Sequence, residues 1–134
     1  MIIELKKFGA ILISRPAGRE AFNAIRPELK RGEAVQVDFR GVLAVTPSWV
    51  DEFLLLLIDY VGDNVELWPT DNTSALATFR VLAEAKQEPV ASLARRYLES
   101  EKFTPLDTKL SNGVNVRFVN NEANREEIKK ERKT

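Results

Sequence analysis

The sequence predicts an α/β fold with a helix and a β-hairpin added at its C-terminal end. Three observations lead there. Short runs of isoleucine, leucine and valine recur at residues 2–5, 10–13, 35–39 and 65–68. Longer segments between them place apolar residues at every third or fourth position. Strands separated by helices of that length call for parallel pairing, with the crossovers packed against the sheet.

Each element has its own signal. Residues 2–5 and 10–13 are interrupted by Lys6 to Gly9, a pattern that predicts two short strands in a hairpin. Ala21, Phe22, Ile25 and Leu29 fall at helical spacing and predict a helix over 17–30. Pro27 lacks a backbone donor, so it should kink that helix or begin a separate last turn, and Gly32 closes the element. Val35, Val37 and Phe39 alternate with Gln36, Asp38 and Arg40, the period of a strand. Gly41 permits a turn, and Val42 to Val45 form a short extended piece.

The next helix begins at Thr46-Pro47-Ser48. Pro47 suits the first helical position and favours Thr46 as the cap, whereas Ser48 with Asp51 resembles a capping box. Thr46 is the preferred reading. Trp49, Val50, Phe53, Leu54, Leu57, Ile58 and Val61 make one wide apolar face. Asp51, Glu52, Leu55 and Asp59 fall on the other side, and Gly62 ends the helix. Val65, Leu67 and Trp68 form a strand stopped by Pro69, and Asp71 to Ser74 offer caps for a helix marked by Ala75, Leu76, Phe79, Leu82 and Ala83. Pro89 opens a fourth helix with Val90, Leu93, Ala94, Tyr97 and Leu98 on one face. Leu106, Thr108 and Leu110 alternate before Asn112-Gly113, and Val114, Val116 and Phe118 alternate after it, a hairpin pattern. The charged residues 120–134 carry no apolar period and read as a frayed helix or a disordered tail. The organisation is therefore a core at 1–86, a helix and hairpin at 87–119 packed on it, and a tail at 120–134.

Composition narrows the function. The 134 residues carry twenty lysines and arginines against twenty aspartates and glutamates. That balance gives no electrostatic reason to expect nucleic acid or an acidic membrane as partner. There is neither cysteine nor histidine, which removes thiolate chemistry, the commonest general base and the commonest transition-metal ligand. No cofactor, metal site or catalytic residue is expected. No glycine-rich phosphate loop occurs. The longest wholly apolar run, Phe53 to Ile58, is too short to cross a bilayer, and the first residues do not read as a signal peptide, so a cytoplasmic setting is expected.

The stretch "ILISRPAGREAF" followed by "VQVDFRGVLAVTPSWVDEFLLLL" resembles a small STAS-like family of unknown function, related to the bacterial anti-sigma-factor antagonists. The positions that carry it are Ser14, Arg15, Asp38, Phe39, Gly41, Val42, Ser48, Asp51 and Glu52, and it covers residues 9–70. The resemblance implies a mixed β-sheet with helices mainly on one face, and a non-catalytic signalling domain that works by protein contact. In better-known STAS domains the turn into this helix carries a serine phosphorylated by an ATP-binding, kinase-like partner. Here Pro47 stands at that serine, Thr46 at the preceding aspartate, and Trp49 at the glycine after the second serine. Thr46 and Ser48 flank the gap and are the candidate phosphorylation sites.

The expected partner-binding residues are Thr46, Ser48, Trp49, Asp51, Glu52, Leu55 and Asp59, with Ser14 and Arg15 contributing from the neighbouring strand end. Asp51 and Glu52 point about 100° apart on a helix, so they make an acidic patch and not an acid–base pair. Leu55 framed by Asp51, Glu52 and Asp59 suits a partner with basic residues around an apolar pocket. As plain structure, Thr46 or Ser48 would cap the helix, Asp38 would cap the loop after its strand, and Trp49 and Trp68 would lie in the core. Two other readings stand beside this one. Residues 87–118 could form a DNA-binding helix and wing, although no recognition helix follows Leu98. An enzyme would have to work with carboxylates alone. An exposed sheet edge leaves a homodimer open.

Overall fold

β3 (Val35–Asp38) is the centre of a three-stranded parallel sheet, with β1 (Ile2–Glu4) on one side and β5 (Val65–Leu67) on the other. The structure is a computed structural model, and it describes residues 1–101. Ile3 pairs with Val37 and Val37 with Leu67, so apolar side chains lie side by side across all three strands. A second ribbon joins β2 (Ile11–Leu12) to β4 (Ala44–Val45), again in parallel. Four helices connect and cover these strands: α1 (Arg15–Ile25), α2 (Pro47–Val61), α3 (Thr73–Ala85) and α4 (Val90–Glu101). The α/β class read from the sequence is what the chain adopts. Every strand pairing among the described residues is parallel.

The expected hairpin between the first two strands does not form. A 3-10 turn over Leu5–Phe8 and Gly9, at φ +130°, separate them, and each strand pairs in parallel with a later one. Leu5 explains the difference, because the residue expected to end the first strand instead opens the turn, fully buried, and anchors it to the core. The interruption at Lys6 and Lys7 marks a change of sheet.

The helix starts follow their caps. Ser14 accepts from the Ala17 amide at 3.1 Å, Thr46 from the Trp49 amide at 3.4 Å, and Asn72 from the Ala75 amide at 3.0 Å. Pro47 occupies the first position of α2, as its fixed φ allows. α1 stops at Ile25, and a separate 3-10 turn runs over Arg26–Glu28 around Pro27. Gly62, at φ +105°, ends α2 in a conformation other residues rarely adopt.

One core serves the compact unit Met1–Glu99. All seven residues of the predicted α2 face are buried. Trp49 stacks on Phe53, with ring centroids 5.0 Å apart. Phe39, Phe79 and Tyr97 form a chain of edge-to-face contacts at 5.1 and 5.2 Å, which ties β3, α3 and α4 together. The Tyr97 hydroxyl accepts from the Thr70 amide at 3.0 Å. The hairpin expected at 106–118 and the tail at 120–134 lie outside the described residues.

α1 and α2 approach closely enough to dictate a residue. A Cβ placed on Gly18 would lie 2.6 Å from the Trp49 carbonyl oxygen, a backbone atom that cannot step aside. Gly18→Ala should therefore destabilise by about 1–3 kcal/mol despite alanine's better helix propensity. Urea unfolding checks this, and an unchanged or higher midpoint would contradict the close approach.

Candidate functional site

β2 and β4 lie parallel, and each leads directly into a helix. The N-termini of α1 and α2 therefore emerge beside each other from one end of the ribbon. Thr46 joins the two starts. Its amide donates to the Leu12 carbonyl at 3.1 Å, and its hydroxyl donates to the Ile13 carbonyl at 2.6 Å while capping α2.

The sequence-predicted residues divide into three groups around this point. Ser48, Leu55 and Asp59 are exposed and lie along one strip of α2. Thr46 and Asp51 are half-buried. Trp49 and Glu52 are buried, at 1% and 5% exposure. Trp49 belongs to the core and supports the site from behind. The placement of Glu52 in an exposed acidic patch is corrected: its side chain is 6% exposed and faces α1. α1 covers that flank of α2, an arrangement that a helical projection of α2 alone does not contain.

The groups that meet Glu52 are Arg15 and Arg19, one turn apart on α1. The Arg15 guanidinium reaches Asp51 Oδ2 at 2.9 Å and Glu52 Oε1 at 3.2 Å. Arg19 forms an ion pair with Glu52 Oε2. That oxygen has charge contact with Arg19 but no hydrogen-bond partner among the described residues. The hydrogen bond that Arg15 donates to Asp51, with smaller support from the one to Glu52, raises the Arg15 pKa above its ordinary value against the opposing effect of burial. The cluster pairs two cations with two anions. It fastens α1 to α2 by charge-assisted hydrogen bonds, while both arginines keep about half of their side chains in water. The sequence expectation had included Arg15. It missed Arg19, for which the available signal was the four-residue spacing from Arg15 facing the Asp51-Glu52 pair.

A second pairing closes the end of β3. Asp38 Oδ1 accepts from the Arg40 amide at 2.9 Å, the loop-capping arrangement expected of that aspartate. The Arg40 side chain grips the same carboxylate through Nε at 3.1 and 3.0 Å and Nη2 at 2.8 Å. Its guanidinium also lies 5.2 Å from the centre of the Trp68 ring. The Arg40 hydrogen bond is the main reason that the Asp38 pKa is lowered, against desolvation. Among the described residues no cluster of three or more histidine, cysteine, aspartate or glutamate side chains could hold a metal ion.

Two features lie elsewhere. At the start of α4, Glu88 ties Ser92 and Arg95 together, and Arg95 also donates to the Ala83 carbonyl at 3.2 Å. Those contacts occupy one of the cations that a DNA-binding α4 would direct to phosphate. A cleft of about 440 Å³ has Ile58, Val65 and Leu93 in its lining, with Asp63, Ser92 and Arg96 as its polar groups. No helix among the described residues is long and apolar enough to cross a membrane. No family model, curated protein or solved structure matches the chain.

Two measurements test these assignments. Glu52→Gln keeps the shape and removes the charge that both arginines meet, so it should cost about 1–2 kcal/mol in urea unfolding. No loss would mean that the cluster is decorative. The folded-state pKa of Asp38 lies below its unfolded value, so its contribution is complete above the unfolded pKa of about 3.9. That contribution is lost as pH falls through the lower folded value. Asp38→Asn should therefore destabilise the protein near neutral pH and flatten its stability loss below about pH 4. Parallel acid-unfolding curves for the two proteins would refute this role.

Proposed function

We propose that this chain is a non-catalytic, STAS-like protein-interaction domain of cytoplasmic signalling, and that it docks a protein partner through the free side of α2. The observation that carries this reading is the strip formed by Ser48, Leu55 and Asp59, with half-buried Asp51 along it. Leu55 is 37% exposed and stands one turn after Asp51 and one turn before Asp59. An exposed leucine flanked by carboxylates on a rigid helix fits a basic-rimmed apolar pocket. The helix is held firmly because its other sides lie in the core and against α1.

The same reading ranks the two hydroxyls as modification sites. Thr46 Oγ1 is committed to the Ile13 carbonyl and the Trp49 amide. Phosphate there would have to break both contacts. Ser48 is exposed at the second position of α2, where the helix dipole and unpaired amides accommodate negative charge. Ser48 is therefore the preferred target of a kinase-like, ATP-binding partner. Added charge beside Asp51 would strengthen the attraction to a basic-rimmed pocket and so alter docking.

The expected result is loss of the captured partner on substitution of Leu55→Arg together with Asp59→Lys. Crosslinking in the native cell, followed by mass spectrometry, supplies the readout. Circular dichroism should remain unchanged, since both side chains are on the surface. A folded variant that crosslinks to every wild-type partner at wild-type yield would overturn the proposal.

A further inference from the structure

The β2–β4 ribbon carries an apolar surface that neither the core nor the α2 strip uses. Ile11, Ile13 and Leu43 are 59%, 54% and 73% exposed. They are neighbours, since the Leu43 amide donates to the Ala10 carbonyl at 2.8 Å and Ile11 pairs with Ala44. Leu12 and Val45 point inward and are buried, so Ile11 and Ile13 stand on the outer face by strand alternation.

The two edges of this ribbon are finished differently. Along β4, the Ser74 hydroxyl accepts from the Val45 amide at 2.9 Å and donates to the Val45 carbonyl at 3.0 Å. Asn72 Nδ2 donates to the Val42 carbonyl at 2.6 Å. Side chains of α3 and its cap thus close that edge. Along β2, the Ala10 and Leu12 carbonyls turn towards β4, where the Ala44 and Thr46 amides take them. Backbone groups alternate along an extended strand, so the Ile11 amide and carbonyl and the Ile13 amide point away from β4. No strand among the described residues pairs there. Natural sheets commonly guard such an edge with charge, proline or a bulge, whereas this edge bears two isoleucines.

Charge identifies what fits. Segments 5–19 and 39–50, which build the ribbon, contain Lys6, Lys7, Arg15, Arg19 and Arg40 and no carboxylate. The three arginines are neutralised by Asp51, Glu52 and Asp38. Lys6 and Lys7 remain outside those pairs: Lys6 acts on Asp38 only through its field, and Lys7 Nζ lies 5.7 Å from the centre of the Phe8 ring. Lys6 lies along the loop before Leu43, since a Cβ on Gly41 would be 2.9 Å from Lys6 Cδ. Glu4, at the end of β1, is the nearest acid in sequence. A second copy of this chain would set lysines against lysines. A lipid surface would leave outward peptide groups in hydrocarbon without partners.

We propose that the edge of β2 left unpaired among the described residues receives an extended acidic segment of a partner protein. The segment adds a strand to the ribbon. Its backbone pairs with Ile11 and Ile13, its apolar side chains cover those isoleucines, and its carboxylates meet Lys6 and Lys7. This surface is separate from the α2 strip, and either can fail without the other.

The test uses the full chain and a short fluorescent peptide of alternating glutamate and valine, compared with its lysine–valine counterpart. Anisotropy should show the acidic peptide bound at least about tenfold more tightly, with affinity falling as salt rises from about 50 to about 500 mM. Hydrogen exchange at the Ile11 and Ile13 amides should slow on binding. Ile11→Lys with Ile13→Lys should abolish binding, and Lys6→Glu with Lys7→Glu should reverse the peptide preference, both at wild-type circular dichroism and unfolding midpoint. Equal affinity for the two peptides, no binding by either, or binding without edge-amide protection overturns the proposal. So does capture by phosphatidylserine-containing vesicles in place of the acidic peptide, or edge protection accompanied by self-association in sedimentation.

Discussion

The contact between Gly18 on α1 and the Trp49 carbonyl on α2 sets the geometry of everything around it. Two helices whose backbones come this close cannot be separated by side chains at the crossing. The remaining side chains must then fit a fixed spacing. Trp49 goes into the core, where Phe53 stacks on it and Phe8 lies 6.3 Å away. Glu52, three residues on from Trp49, is carried under α1, where only Arg15 and Arg19 can compensate its charge. A side chain at position 18 would meet the Trp49 carbonyl and force the helices apart at the place where Glu52 is enclosed. The ion cluster is thus a consequence of backbone proximity.

Much of this was legible in the sequence because it depends on local rules. Thr46-Pro47 specified the start of α2 through cap chemistry and a preset φ, and Pro27 specified where α1 gives way to a separate turn. The apolar period from Trp49 to Val61 predicted a buried face without error. Asp38 capped its loop as a short acidic side chain at a strand end tends to do. What local rules cannot supply is which elements become neighbours. Lys6 to Gly9 looked like a reversal, yet Leu5 sends the chain through the core to a different ribbon. Glu52 looked exposed because a single helix has an inside and an outside, whereas α2 has a third side against α1. The signal for that third side was split between two segments: Arg15 and Arg19 in one, Asp51 and Glu52 in the other.

The charge economy of the chain follows from the same geometry. A net charge of zero describes the whole sequence, and among the described residues a few of the charges are matched locally at strand ends and helix starts. Asp38 holds Arg40, Asp51 and Glu52 hold Arg15 and Arg19, and Glu88 holds Arg95. Half-exposed pairs of this kind contribute modestly to stability, since solvent screens them. Their stronger effect is on orientation. Arg40, gripped by Asp38 and lying over Trp68, has a fixed direction that an isolated surface arginine lacks. Pairing thereby fixes where these side chains point.

The two proposed surfaces differ in character. Along α2 it is Leu55 beside Asp59, unpaired among the described residues, with Asp51 already held by Arg15, and along the β2–β4 ribbon it is isoleucines beside lysines. Both surfaces meet at the end of the ribbon, because β4 runs into α2 through Thr46, which also binds the Leu12 and Ile13 carbonyls of the β2 segment. A strand added to β2 would pull on the segment that Thr46 fastens, and a modification at Ser48 would disturb the cap two residues before it. Thr46 is therefore one joint between the two, beside the ion pairs that Arg15 and Arg19 make with α2. Coupling between them, in either direction, has two contiguous routes: the Thr46 hydroxyl with the backbone groups it holds, and the ion pairs of Arg15 and Arg19 with Asp51 and Glu52.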